Sequence, residues 1–198
     1  MAVYTYFGGM GQLITEVVRE GYLSFGRCLA QAPRSDDPVA DLLALGMAYR
    51  DYAVANPQLY RLMFGTTAPV GLRAGIDPPV AAAAEALPEA RAAFAQLVEL
   101  VTRVMGASSA PVQDSPGAAA FQLWSAVHGY AMLEIAGFFG DDGRAVERFL
   151  LPLLAKLTAG VGADAGHAVR CARRLAARNR SGPPASDVPS VINDFIDG

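Results

Sequence analysis

Apolar residues recur along this chain at three- and four-residue intervals, and proline or glycine breaks the pattern at regular points. The first such run, from about Gly11 to Ala30, carries Leu13, Val17, Tyr22 and Phe25 on one stripe and predicts a helix. Asp37 followed by Pro38 is a helix start, a side-chain acceptor before a residue already fixed at helical φ. Val39, Leu42, Gly46, Tyr49 and Ala53 continue it. Asn56-Pro57 stops it, because proline disfavours helical geometry in the residue before it. Asn56 then caps a short helix, "PQLYRLMF". A loop, "GTTAPVGLRAGIDPP", and an alanine-rich stretch lead into "PEARAAFAQLVELVTRVMG", where Phe94, Leu97, Val98, Val101 and Met105 share a face and Gly106 is a natural stop. Ser115-Pro116 opens a long apolar helix to about Phe138. "RAVERFLLPLLAKLTAG" follows, with Pro152 expected to kink or limit it, and then the arginine-bearing "HAVRCARRLAARNR". From Ser181 onward the composition is that of a mobile tail. No strand-like alternation of useful length and no internal repeat interrupts this, so the expected architecture is all-α, with about seven helices.

Composition narrows the function classes. With 198 residues and a 53% hydrophobic content, the chain has enough apolar material for one sizeable core. The net charge of −3 gives the whole domain no electrostatic pull toward nucleic acid. A cluster of arginines, Arg170, Arg173, Arg174, Arg178 and Arg180, reads either as a nucleic-acid patch or as a solvated helix face. Residues 117–139 have the length of a membrane span. Gln122, Ser125, His128 and Glu134 interrupt them, which favours a helix packed between protein layers. No basic region followed by an apolar run marks the N-terminus as a signal peptide, and a cytoplasmic protein is expected. Cys28 and Cys171 lack redox or metal spacing, and the two histidines, His128 and His167, are far apart. Neither a metal site nor a cofactor is expected, and His167 is expected to face solvent. No catalytic motif is present, so an enzyme is not expected.

The candidate chemistry lies in the aromatics. Tyr49, Tyr52 and Tyr60 cluster in sequence with Met63 and Phe64. At helical spacing they read as core, or as the wall of a mostly apolar cavity with a few hydroxyls. His128 lies on the long helix in line with Trp124, and reads as a buried, hydrogen-bonded histidine or as a polar group at a pocket edge. Ser125, Gly129, Met132 and Ala136 form another face of that helix, where small residues permit close helix approach. Two successive apolar helices, the second bearing Phe149 and Leu153, need a partner that one chain does not supply. Pairing with their two-fold copies would make a four-helix bundle.

Three segments resemble one family in the right order. "AVYTYFGGMGQL" is similar to the end of the DNA-binding head of TetR-family transcriptional regulators, a recognition helix ending in a Tyr-x-(Tyr/His)-Phe run that Tyr4, Tyr6 and Phe7 match. "AYRDYAVANPQLYRLMF", residues 48–64, resembles core helices of those regulators. "LWSAVHGYAMLEIAGF" looks like the signature of the WHG-type C-terminal domain, in Trp124, His128 and Gly129.

The resemblance implies DNA-backbone contact by Tyr4 and Tyr6 in a complete head, contacts that set register rather than read bases. It implies a ligand pocket walled by Tyr49, Tyr52, Tyr60, Met63, Phe64, Phe94, Trp124 and His128, suited to a small apolar effector. It implies a homodimer through Ser125, Gly129, Met132, Ala136, Phe149 and Leu153. Residues 1–10 correspond to the remnant of the helix–turn–helix head, 11–180 to the ligand-binding and dimerisation domain, and 181–198 to the tail. Met10 stands where family members often carry a phosphate-binding lysine. About 40 further residues of head would be needed before this point. A start assigned within the recognition helix, or a real truncation, would account for that, and operator binding by the chain as written is expected to be impaired. The implied function is a ligand-responsive regulator, most simply a repressor. The alternative is a small-molecule-binding or heterodimerising module without DNA-binding activity.

Overall fold

A computed structural model describes residues 10–64, 87–108, 112–139 and 144–181. Tyr4, Tyr6, the rest of the proposed head remnant before Met10, the loop and alanine-rich stretch 65–86, and residues 182–198 lie outside the described residues. The described part is helical, with no strand. We number its α-helices α1 Met10–Ala30, α2 Pro38–Ala55, α3 Pro57–Phe64, α4 Pro88–Gly106, α5 Pro116–Ile135, α6 Leu151–Gly160 and α7 Ala165–Ser181.

The starts follow the punctuation. Asp37 caps α2 by accepting from the backbone N–H groups of Val39 and Ala40, and Ser115 caps α5 by accepting from that of Ala118. Two ends are set by glycine. Past α5, Gly137 has φ +80°, and the amides of Phe138 and Gly137 reach back to the carbonyls of Leu133 and Glu134. This is a Schellman closure, which needs a left-handed residue. It stops α5 at Ile135, a turn earlier than its apolar composition predicts. Gly162, at φ +106°, closes α6 in the same way, with Ala163 and Gly162 bonding to Thr158 and Ala159. The segment before α6 also departs from a plain helix. Val146–Leu150 form a π turn, and Pro152 sits in the first turn of α6. Proline has no N–H and its ring crowds the carbonyl four residues back, here that of Arg148. Widening the preceding turn accommodates both constraints.

The core is built around α2. Val39, Asp41, Leu42, Leu43, Leu45, Gly46, Met47, Tyr49, Tyr52 and Ala53 are all buried, a set that covers most of the helix's circumference, with Ala40, Ala44, Ala48, Asp51 and Ala55 half-buried along the remaining strip. Helices α1, α3, α4, α5, α6 and α7 all pack on it. At Gly46 a Cβ would stand 2.8 Å from a methyl of Leu154, so α6 crosses α2 at close range there. The sequence pattern points to α5 as the fully enclosed helix. Instead α5 buries Ala119, Ala120, Leu123, Val127, Tyr130 and Ala131 and leaves its opposite face open. No described helix is long and apolar enough to cross a membrane.

The charged groups on α2 are paired with its neighbours. Asp41 is 1% exposed. It accepts from the Ser35 N–H at 2.9 Å, the Ser35 hydroxyl at 2.8 Å and the Arg103 guanidinium at 3.0 Å, which locks α4 to the start of α2. Arg50 donates through two nitrogens to the Glu134 carboxylate on α5, one contact measuring 2.8 Å, and through a third to Asp51. Burial disfavours the Arg50 cation, but these carboxylates outweigh it and raise its pKa. Asp41 is buried, but the Arg103 side chain is 33% exposed, so Asp41→Ala loses the hydrogen bonds to a charged group without stranding a buried cation. It is expected to lower unfolding free energy by about 2 kcal/mol, read as a fall in urea midpoint at unchanged m-value. A change under about 0.5 kcal/mol, the range of ordinary surface substitutions, would contradict the pairing.

Candidate functional site

Helices α1, α3, α4 and α5 meet beside α2 in a continuous aromatic cluster. Phe64, the last residue of α3, is its hub. Its ring lies 4.7 Å from Tyr60, 5.1 Å from His128, 5.5 Å from Tyr22, 6.1 Å from Trp124 and 6.3 Å from Phe25, centroid to centroid. Trp124 extends the cluster to Phe121 at 5.2 Å and to Phe94 on α4 at 6.0 Å. The approaches are tilted or edge-on, the arrangement that aromatic quadrupoles prefer.

A chain of hydrogen bonds runs through this apolar setting. The Trp124 indole N–H donates to the Tyr49 hydroxyl at 3.0 Å. The Tyr49 and Tyr60 hydroxyls are 2.7 Å apart. His128 Nδ1 lies 2.6 Å from the Tyr60 hydroxyl and 3.3 Å from that of Tyr49. If Tyr49 donates to Tyr60 and Tyr60 to Nδ1, every hydroxyl proton is used once. Nδ1 is then the terminal acceptor and the imidazole proton sits on Nε2. A neutral ring fits its surroundings, since burial lowers the His128 pKa. Burial likewise raises the phenol pKa values of Tyr49 and Tyr60 and pushes that of Tyr22 up to about 12.

The site's residues differ in exposure. Tyr49, Tyr52, Tyr60 and Met63 are buried, while Phe64, Phe94, Trp124 and His128 are half-buried. Six of the eight pocket candidates, Tyr49, Tyr60, Phe64, Phe94, Trp124 and His128, belong to the cluster, and Tyr52 and Met63 border it. Met63 lies under α1, where a Cβ on Gly21 would come within 2.8 Å of its sulfur. Tyr52 is apart from the hydrogen-bond chain. Its hydroxyl donates to the Gly21 carbonyl at 3.0 Å and pairs with Ser24, tying α1 to α2, and its ring touches Phe25. Burial pushes its phenol up to about 12. Tyr22, Phe25 and Phe121 complete the cluster and were not among the sequence candidates. Tyr22 and Phe25 sit on the apolar stripe of α1, which gave the only signal.

A second surface is formed by α5 and the segment entering α6. Ser125 and Ala136 are exposed, and Met132 and Leu153 are half-buried. A Cβ at Gly129 would meet nothing within 4 Å. Phe149 is 43% exposed, Leu133 45% and Phe138 75%. Phe139 stacks between Tyr130 and Phe149, at 4.9 and 5.3 Å. Leu133 and Phe138 escaped the sequence reading, although Leu133 follows Gly129 by one helical turn.

His167 is not simply solvent-facing. It bonds to Asp37, and Cys171 lies one turn further along the same helix. Sequence spacing predicts no grouping of metal-ligating residues, and the fold makes one from residues 130 positions apart. Both cysteines are free thiols. Arg170, Arg173, Arg174 and Arg178 are exposed on α7, which fits either reading of the cluster, and Arg170 pairs with Asp164 at 3.7 Å.

The described residues thus form an all-helical core with an aromatic, sparsely polar wall. A family model of the tetracyclin repressor-like C-terminal domain matches residues 42–157, more than half of the chain. The chain belongs to this family of TetR-type transcriptional regulators. All eight pocket candidates lie within the match. No curated protein and no solved structure matches the chain.

The depressed pKa of His128 has a stability consequence. Above the ordinary histidine value of about 6.5, the imidazole is neutral in both the folded and the unfolded chain. Below it the unfolded chain takes up a proton that the folded one resists, so this contribution is lost as pH falls through the folded pKa. Urea midpoints at pH 7.5 and pH 5 are expected to differ more in the native protein than in His128→Gln. An equal drop in both would show that His128 does not titrate late.

Proposed function

We propose that the protein is a ligand-responsive transcriptional regulator, most simply a repressor, whose effector is a small apolar molecule held against Phe64, Trp124, Phe94 and His128. The observation that carries this is the aromatic cluster itself, half-exposed on the α3–α5 side and crossed by a few hydrogen-bonding groups. Apolar walls with sparse polar groups suit a lipophilic ligand, for which burial supplies affinity and a hydroxyl or imidazole supplies orientation. Trp124, His128 and Gly129 support a WHG-type subtype, with the first two in the cluster and the third on the open face.

The route outward is short. Tyr22 on α1 packs on Phe64 and its hydroxyl reaches the Met63 carbonyl at 3.4 Å, while Phe25 packs on Tyr49 at 5.0 Å. A ligand that shifts Phe64 or Trp124 therefore acts on α1, the helix leading back to residues 1–9. Its effect on DNA occupancy equals its differential affinity for the two arrangements. Operator contact through Tyr4 and Tyr6 is proposed for a complete head. Dimerisation is proposed through the open face of α5 with Phe149 and Leu153 beside it, giving a four-helix bundle.

Native mass spectrometry of the purified protein is expected to retain a small apolar molecule. Trp124 is the sole tryptophan, so that molecule, added back to stripped protein, should change its emission. Phe64→Ala removes a contact worth about 2 kcal/mol, which is roughly a 30-fold loss of affinity. Unaltered affinity in this variant would place the ligand elsewhere. For the dimer, Gly129→Leu has room within the protomer and gains about 0.8 kcal/mol of helix propensity. It should leave the circular dichroism intact and shift light scattering toward monomer. An unchanged dimer would remove α5 from the interface.

A further inference from the structure

We propose that Asp37, His167 and Cys171 form a three-ligand site for a zinc-class divalent ion, joining the start of α7 to the start of α2. The site lies outside residues 42–157 and away from the aromatic cluster, so it is independent of the effector proposal.

The geometry is close to what such an ion needs. His167 and Cys171 stand four residues apart on α7, hence on one face of it. Asp37 comes from the start of α2. Cys171 Sγ is 3.6 Å from His167 Nε2 and 3.7 Å from Asp37 Oδ2, and Nε2 is 2.9 Å from Oδ2. With Zn–S of about 2.3 Å and Zn–N and Zn–O of about 2.0 Å, tetrahedral ligand atoms lie about 3.3–3.6 Å apart. Two edges already match. The third is a hydrogen bond that opens by about 0.4 Å when the ion replaces its proton. His167 Nδ1, at 4.0 Å from the sulfur, is the more distant nitrogen.

The carboxylate divides its work between its two oxygens. Oδ1 accepts the capping bonds from Val39 and Ala40 at 3.2 and 3.1 Å. Oδ2 faces the sulfur, and the imidazole Nε2 lies between the two oxygens, 2.9 Å from Oδ2 and 3.0 Å from Oδ1, so coordination through Oδ2 leaves the α2 cap in place.

Charge and access are also suitable. Binding a divalent ion releases the thiol proton of Cys171. The resulting set of one dication, one carboxylate and one thiolate is neutral, so neither the nearby Arg170 and Arg174 nor the two helix N-termini repel it. Asp37 and His167 also line an open groove with Asp36, Ser108, Gly162 and Asp164. That groove opens on the carboxylate and the imidazole and gives the ion an entry path toward the buried Cys171. The donor set of one sulfur, one nitrogen and one oxygen selects a borderline ion over magnesium or calcium, which prefer all-oxygen sites.

The test uses the untagged, reduced, metal-free full chain, titrated with Co²⁺ and then Zn²⁺. One cobalt per chain is expected, with a thiolate-to-cobalt charge-transfer band that zinc abolishes, and zinc should raise the melting temperature. Cys171→Ser should erase the band and weaken zinc at least 100-fold. His167→Gln should abolish the zinc-dependent melting shift, which keeps the test decisive if the serine variant folds poorly. Asp37→Asn keeps a capping side chain and should weaken zinc at least tenfold, and Cys28→Ser should change nothing. Absence of the band in the native protein, its persistence in Cys171→Ser, or a full melting shift in His167→Gln would overturn the assignment.

Discussion

Enclosing α2 on most of its circumference obliges each buried polar group on it to find a partner inside the protein. That constraint shapes what surrounds the helix. Asp41 recruits Ser35 and Arg103, Arg50 recruits Glu134, Tyr52 recruits Ser24 and the Gly21 carbonyl, and Tyr49 recruits Tyr60, His128 and Trp124. Each recruitment fixes a different neighbour, respectively α4, α5, α1 and the α3–α5 aromatic wall. Apolar burial supplies the driving force, but it is non-directional. These bonds select one arrangement of helices, because a buried donor or acceptor left alone costs more than a bond gains.

The aromatic wall inherits its polarity from this constraint. Tyr49 is buried as part of α2, so its hydroxyl must be met, and Tyr60, His128 and Trp124 meet it. The same contacts hold Trp124 and His128 in fixed positions at the edge of the cluster, where Phe64 and Phe94 are half-exposed. Support of the core and fixing of its half-buried aromatic edge are thus one set of bonds. Helix α1 is tied to the wall on its other side through Tyr22, Phe25 and Met63. A change at the wall therefore has a short mechanical path to the N-terminal end of the chain.

Much of this was legible in the sequence, and the rest was not for identifiable reasons. Helix starts at Pro38, Pro57, Pro88 and Pro116 were legible because capping and proline are local. Six members of the aromatic cluster, Tyr49, Tyr60, Phe64, Phe94, Trp124 and His128, stood out in the sequence because aromatic side chains recur there at helical spacing. Tyr52 shares that spacing but turns to α1, a choice made by tertiary packing alone. The early end of α5 depends on the backbone φ of Gly137, which apolar composition masks. The most enclosed helix was misjudged because α5 is more uniformly apolar than α2, whose Asp41 and Arg50 find their partners Arg103 and Glu134 far away in sequence. Asp37 and His167 were unreadable as neighbours for the same reason.

Native-state amide hydrogen exchange addresses the central role of α2 most directly. If the polar partnerships of α2 fix the surrounding helices, its central amides, from Leu43 to Tyr52, should exchange only through global unfolding. Their protection should equal the unfolding free energy and follow its dependence on denaturant. Exchange of these amides through local opening, faster than that of the central residues of α4 or α7, would contradict the account.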